Sequence, residues 1–148
     1  MTWSKLLAQN KVKPHTTSLA EINDLRELIE RDLADASVLG LSGDRSFAIA
    51  YNAALQIAHM IIACHGYRVR SIPGHHKITF EALELVLGTS VSGLCAYLDV
   101  CRQKRNLVEY DRASVATDSE AAELCTKAKE FHELAEDWIA KHHPALRQ

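Results

Sequence analysis

The chain has 148 residues, of which 47% are hydrophobic and 24% are charged, and its formal net charge is −2. This length and composition indicate one globular domain over residues 1–148 and exclude a disordered or disulfide-stapled chain. The slight negative charge also excludes bulk electrostatic attraction to nucleic acid.

No export or membrane signal appears in the sequence. Residues 1–8 lack the long apolar run that a signal peptide requires. The longest apolar stretch, residues 47–64, is interrupted by Asn52, Gln56 and His59, so we expect no membrane span. These features predict a cytoplasmic protein without membrane contact.

The four cysteines form no CxxC pair and fall inside predicted helices. In a chain without an export signal, this pattern predicts reduced cysteines in the core. A zinc site is the alternative, although the spacing of its residues matches no common ligand pattern. That site would consist of Cys64, His65, His75 and His76. We predict neither a metal nor a cofactor.

Helical periodicity runs through most of the chain, and no strand pattern appears. Residues 1–17 are predicted to form an extension or a short helix before a bundle over residues 18–142. Ser18 and Glu21 have the spacing of a capping box at the start of the first long helix, which ends near Gly40. The apolar stripe of this helix contains Leu19, Ile22, Leu25, Ile29 and Leu33.

The next helix is predicted from Asp44, as its N-cap, to about Cys64, and it is apolar on nearly all sides. That pattern is typical of the central helix of a bundle. Asn52, Gln56 and His59 nevertheless follow one edge of this helix, and we call them the polar seam. The seam either faces polar partners, as buried amides require, or forms a solvated strip.

Three more helices complete the prediction. A third begins after the turn at residues 71–74, and a fourth runs from Ser90 to about Tyr110. Thr117 and Glu120 form a second capping box, which starts a long fifth helix. The predicted fold is therefore all-α, an up-and-down bundle of about five helices.

The end of the fourth helix carries a dense polar patch. Arg105 continues the apolar stripe of this helix. The other members of the stripe are Leu94, Leu98, Cys101 and Val108. Because an arginine stays charged and is rarely buried without a partner, Arg105 either pairs with Glu109 at the rim or lines an internal cleft. The rim alternative is an ordinary ion pair on one helix.

Basic residues are concentrated in a second region, residues 65–80, which contains no acidic residue. His75, His76 and Lys77 lie in this segment, and Arg102 lies in the polar patch. These residues form one positive surface if the fold brings them together. A chance distribution of charge over solvated faces is the alternative.

Arg105 and Asn106, followed by three residues and Tyr110 late in a five-helix chain, resemble the signature of the HEPN family. These small helical domains are found beside minimal nucleotidyltransferases in bacterial toxin–antitoxin pairs. The resemblance extends to residues 51–56 and covers the helical order from about residue 18 to 140. Active members are metal-independent ribonucleases with an arginine, a polar neighbour and a histidine a few residues on. The resemblance places Tyr110 where that histidine is expected.

Tyr110 is the main departure from the family signature, because histidine titrates near neutral pH and free tyrosine near 10. Metal-free RNA cleavage needs a base, an acid and a cation, and Arg105 suits the role of the cation. Tyr110 could donate a hydrogen bond or orient a phosphate, and His75 or His76 could supply the missing imidazole. Helix positions five apart diverge by about 140°. Arg105 and Tyr110 therefore meet only if the helix loosens or across a two-fold axis.

The resemblance implies a homodimer whose polar cleft contains Arg105, Asn106 and Tyr110 of both copies. The substrate-binding candidates are Arg102, Asn52, His75, His76 and Lys77. The implied role is the RNA- or nucleotide-engaging half of a toxin–antitoxin or phage-defence pair. The alternative is a non-catalytic scaffold that holds a nucleotidyltransferase or its nucleotide.

Overall fold

The computed structural model describes residues 1–109 and 113–148, and it confirms the all-α helical bundle. The elements are α1 (Trp3–Ala8), β1 (Val12–Pro14), α2 (Leu19–Ala36), α3 (Gly43–His65), β2 (Tyr67–Val69), α4 (His75–Leu87), α5 (Ser92–Glu109) and α6 (Asp118–His142). Single turns of 3-10 helix occupy Thr89–Val91, just before α5, and Pro144–Leu146, just after α6.

The helix α3 is the centre of the bundle. It packs against α2, α4, α5 and α6, and most of its side chains are buried. By length and composition α3 could also cross a membrane, but 72% of its most apolar window is buried inside the fold. Burial on nearly all sides is what a central helix requires, and it explains why the apolar pattern of α3 has no single face.

The prediction that no strand forms is wrong, because β1 and β2 pair as a small antiparallel sheet. Val12 lies opposite Val69, and Pro14 lies opposite Tyr67. Strands of three residues are too short to show an alternating pattern in the sequence. The Trp3 ring stacks on Tyr67 with 4.2 Å between ring centroids, so α1 and the sheet form one unit against the end of α3.

The buried face of α2 also differs from the predicted stripe. Leu19 is 43% exposed, whereas Arg26 is only 4% exposed. Arg26 Nε and Nη2 donate to the two carboxylate oxygens of Glu136 at 2.8 and 2.9 Å, and Nη2 also donates to the Leu146 carbonyl. Asn23 Oδ1 accepts from Arg26 Nη1 at 2.8 Å. A charged side chain is tolerated in this interface because its donors are satisfied.

The predicted start of α3 needs correction. Ser42, and not Asp44, is the N-cap of α3, and its hydroxyl accepts from the backbone N–H of Arg45. The Asp44 carboxylate instead accepts from the backbone N–H groups of Ser114 and Ala116, both at 2.8 Å. Asp44 thereby fastens the segment before α6 to the start of α3.

The two predicted capping boxes have different outcomes. At the start of α6 both halves form, because Thr117 accepts from Glu120 N–H and Glu120 accepts from Thr117 N–H. At α2 the Ser18 hydroxyl caps the helix, but the Glu21 carboxylate accepts from His15 Nε2 and the Thr17 hydroxyl. Glu21 therefore ties the chain before α2 to that helix.

Gly43 lies where α3 and the segment before α6 are in close contact. A Cβ at Gly43 would lie 2.6 Å from the Ala116 carbonyl oxygen, so we expect Gly43→Ala to lower the free energy of unfolding by about 1–3 kcal/mol. Urea unfolding measures this change. Gly93→Ala is the control, since open space surrounds Gly93 and the substitution should be neutral or stabilise by up to about 1 kcal/mol. Unchanged stability of Gly43→Ala would contradict the close approach.

Candidate nucleic-acid interface

Arg105 lies where α5 packs beside α3, and we refer to this junction as the groove. Its guanidinium carbon is 5.7 Å from the centroid of the Tyr51 ring, and its Nη2 is 3.4 Å from Asn52 Oδ1. The side chain is half-buried, because Leu98 and Cys101 hold the same stripe of α5 against the core. The structure thus places the Arg105 side chain against α3.

Tyr51 connects Arg105 to the start of α4. The Tyr51 side chain is fully buried, and its hydroxyl oxygen is 3.1 Å from His76 Nδ1. Burial raises the pKa of Tyr51, while the charges of Arg105 and Arg102 lower it in part, so the phenol stays protonated. Because a buried phenol needs an acceptor for its proton, we assign Tyr51 as the donor and the His76 proton to Nε2.

His76 is therefore a neutral hydrogen-bond donor. Burial is the main cause that lowers the pKa of His76 to about 4, with smaller contributions from the nearby His75, Arg105 and Arg102. The rings of His75 and His76 are edge to face, with 4.4 Å between their centroids. A neutral imidazole with a proton on Nε2 can donate to a phosphate oxygen. It is a poor general acid at neutral pH, since so little of it is protonated.

The other predicted site residues occupy different positions around this cluster. Arg102 Nε donates to Asp99 Oδ1 at 2.9 Å, so part of its charge is compensated. Asn106 is half-buried on α5, and Lys77 is exposed on α4. Tyr110 lies outside the described residues. The structure therefore brings Arg105, Asn52 and the two histidines together, while Lys77 lies on a solvated face.

Tyr51 is the site residue that the sequence did not identify. It belongs to the apolar face of α3, where an aromatic residue ordinarily indicates core packing. Its hydroxyl group was the available signal, because a buried tyrosine usually has a hydrogen-bond partner. That partner is His76 on another helix, and no spacing along the chain predicts such a pair.

Asn52 and His59 of the polar seam of α3 face polar partners. This is the first of the two alternatives predicted for the seam, the other being a solvated strip. Asn52 accepts from Arg105, and His59 Nε2 lies 3.4 Å from Thr79 Oγ1. Burial is the main cause that lowers the pKa of His59 to about 4, and the basic surroundings, which include Arg68, act in the same direction. The seam therefore continues from the Arg105 site along α3 toward the sheet.

Among the described residues, no three histidine, cysteine, aspartate or glutamate side chains are grouped so that they could hold a metal ion. The zinc alternative at Cys64, His65, His75 and His76 thus has no geometric support. Three of the cysteines are buried, Cys125 is half-buried, and all four are free thiols. Burial raises the pKa of Cys64, Cys95 and Cys101 to about 11, so these thiols stay protonated.

The two histidines with lowered pKa values predict a pH-dependent stability. The pKa of a histidine is about 6.5 in the unfolded chain, whereas the pKa values of His59 and His76 in the folded chain are about 4. Between pH values of about 4 and 6.5 the unfolded state therefore binds more protons than the folded state. Their contribution to the free energy of unfolding is full above about pH 6.5 and is lost progressively as the pH falls to about 4. For the more deeply buried His59 we expect a loss of at most about 3 kcal/mol.

Urea unfolding between about pH 4 and 7 measures this loss. The variant His59→Gln should flatten the profile, because glutamine does not titrate. An NMR titration in which His76 becomes protonated near pH 6.5, as a free histidine does, would contradict the proposed environment.

The geometry gives the site a defined chemical capacity. The guanidinium groups of Arg105 and Arg102 are permanently charged, and each presents several N–H donors in one plane. The Nε2–H of His76 adds a neutral donor beside them. Donors of this kind bind phosphate oxygens. No family model, curated protein or solved structure matches this chain.

Proposed function

We propose that this chain is a HEPN-like domain that engages RNA or a nucleotide through the groove at Arg105. The observation that carries the proposal is the position of Arg105 over the Tyr51 ring and beside Asn52, with His76 hydrogen-bonded to the same tyrosine. Three helices contribute to this cluster, so its donors are held by the core. A planar guanidinium in a half-buried groove suits a phosphate group.

Metal-independent RNA cleavage is the activity that the resemblance implies, and binding is the part that the described residues support better. The Nδ1 lone pair of His76 is used by Tyr51, so this imidazole is not available there as a base. We assign proton transfer, if the chain cleaves RNA, to His75, whose ring packs on His76. Tyr110 would complete the signature as a donor to the phosphate.

We also propose a homodimer, paired differently from the shared Arg105 cleft that the resemblance implies. The outer face of α5 carries an exposed stripe with steps of three and four residues, the spacing that paired helices use. The stripe consists of Gly93, Ala96, Val100, Gln103 and Leu107. Arg105 is roughly 140–160° away from Val100 and Leu107 around the helix. Pairing along this stripe would therefore leave each Arg105 in the groove of its own subunit.

Sedimentation velocity tests the homodimer. The measured mass should be twice the chain mass of 16.5 kDa, and a monomer would contradict the dimer.

The alternative function is a non-catalytic module that holds a nucleotidyltransferase or its nucleotide substrate. The neutral His76 and the tyrosine in place of the family histidine favour this alternative, because both weaken proton transfer. The exposed stripe on α5 offers a surface for such a protein.

Expression of the chain alone in bacterial cells separates the two functions. A ribonuclease toxin should slow growth, Arg105→Ala should relieve the effect, and Arg147→Ala, at an exposed arginine near the C-terminus, should not. Purified toxin should also cleave RNA in the presence of EDTA. A scaffold should be harmless when expressed alone and should co-purify with a nucleotidyltransferase. A harmless chain that binds neither RNA, nucleotide nor this protein would contradict both proposals.

A further inference from the structure

A cavity of about 380 Å³ lies next to the Arg105 groove, where the polar seam of α3 continues toward the sheet. Side chains of α2, α3, β2 and the start of α4 line it. Its volume falls within the range of about 300–1,000 Å³ that is usual for small-molecule pockets. The lining residues that matter here are Gln56, His59, Tyr67, Arg68 and His75.

The polar groups on the α3 side of the cavity are neutral and of defined hydrogen-bonding type. The Thr79 hydroxyl donates its proton to the His75 carbonyl oxygen at 2.7 Å, so at His59 it can only accept. The proton of His59 is therefore on Nε2, and Nδ1 is an acceptor. Gln56 adds an amide donor and an amide acceptor. Such a set matches the edge of a heterocycle, which alternates donors and acceptors.

The rest of the lining suits a flat and partly apolar ligand. Ile62 and Ala63 are buried side chains on the α3 wall. Tyr67 and Val69 of β2 also border the cavity, and the stacking of the Tyr67 ring on Trp3 at an interplanar angle of 9° holds this strand in place. The Glu21 carboxylate, also on the lining, accepts hydrogen bonds from His15 Nε2 at 2.7 Å and from the Thr17 hydroxyl at 2.9 Å, so its Oε1 is already engaged. An apolar wall beside a few polar groups is typical of pockets that bind small organic ligands.

His75 joins the cavity to the Arg105 groove. It lines the cavity, and its ring is 4.4 Å from that of His76, which is hydrogen-bonded to Tyr51 beneath Arg105. Seen from a ligand in the cavity, the phosphate-binding donors of His76 and Arg105 therefore lie beyond His75. Arg68, which is exposed at the cavity, adds a charged donor at the near side.

We propose that the cavity binds one unpaired nucleobase whose phosphate lies toward His76 and Arg105. This inference rests on the proposed function and specifies its ligand: single-stranded RNA or a free nucleotide, whose base can be inserted, and not a duplex. The base would be recognised by Gln56 and His59 at its edge and would pack on Ile62 and Ala63 along the wall.

Fluorescence anisotropy with two short labelled oligonucleotides tests the proposal: a single-stranded RNA and an abasic sugar–phosphate chain of equal length. The wild type should bind the RNA about tenfold more tightly, because only the RNA can fill the cavity. Gln56→Met keeps the side-chain length and removes the amide, so it should abolish most of this preference without changing abasic binding. Gln148→Met, at the exposed C-terminal glutamine, should change neither affinity.

Free nucleosides provide a second measurement that needs no variant. They should compete with the RNA for the wild-type protein but not with the abasic chain. Equal affinities for the two oligonucleotides, or an RNA preference that survives in Gln56→Met, would overturn the cavity proposal. If Arg105→Ala still weakens both oligonucleotides in that case, the proposed function stands. If the wild type binds neither oligonucleotide nor any nucleoside monophosphate, both proposals fail.

Discussion

Arg105→Ala is expected to weaken the binding of short single-stranded RNA by about ten- to a hundredfold, because charge-assisted hydrogen bonds to phosphate contribute about 1.5–3 kcal/mol. Arg105→Lys should have an intermediate affinity, since lysine keeps the charge but loses the planar fork. Fluorescence anisotropy at fixed ionic strength measures both changes, because phosphate binding depends on salt.

Two controls separate this effect from a loss of folding. Arg147→Ala removes the same positive charge from an exposed site near the C-terminus and should bind RNA like the wild type. In Arg105→Ala the slope of log affinity against log salt concentration should also become shallower, by the amount expected for the loss of about one phosphate contact. If Arg105→Ala binds with wild-type affinity and an unchanged salt dependence, Arg105 does not contact phosphate.

Arg26→Met is expected to lower the free energy of unfolding by about 3–5 kcal/mol, because it leaves the Glu136 carboxylate buried without its bidentate partner. The two side chains are 5% and 17% exposed, so water compensates little of the lost pairing. Replacing both residues, as Arg26→Met with Glu136→Leu, should recover much of the loss, since apolar side chains can fill the same space.

Chemical unfolding of the two single variants and the double variant measures the coupling between Arg26 and Glu136. Arg147→Met should differ from the wild type by less than about 0.5 kcal/mol, as is usual for exposed positions. A single variant Arg26→Met that is as stable as the wild type would show that the pair does not contribute to the fold.

The helices could be predicted because their information is local. Capping residues and apolar steps of three and four residues lie within one segment of the chain, and the capping box at Thr117 and Glu120 forms as expected. The spacing of Arg105 with Leu98 and Cys101, both of which are buried, indicated that its side chain can face inward. Its contacts with Tyr51 and Asn52 of α3 could not be read from that spacing.

Features that depend on distant residues could not be predicted. Arg26 is spaced from Ile22 and Ile29 as a buried position would be, but an arginine is ordinarily exposed. Its burial depends on Glu136, which is 110 residues away. Asp44 likewise reaches Ser114 and Ala116 instead of capping its own helix. A polar residue near a helix start has several competing partners, and the sequence does not rank them.

The candidate site was predicted in part. Arg105, Asn52 and His76 were named from the sequence, and the structure places them around one tyrosine. The contact between Tyr51 and His76 joins residues 25 positions apart through the packing of α3 on α4. The role of Tyr110 stays a prediction, since this residue lies outside the described part of the chain.

Side-chain NMR of the 15N-labelled protein during titration with single-stranded RNA shows directly whether phosphate occupies the groove. We predict that the Nε–H signal of Arg105 and the Nε2–H signal of His76 shift together and saturate at the same RNA concentration, while the signal of Arg147 stays in place. RNA binding that leaves the Arg105 and His76 signals unchanged would contradict a phosphate site at this groove.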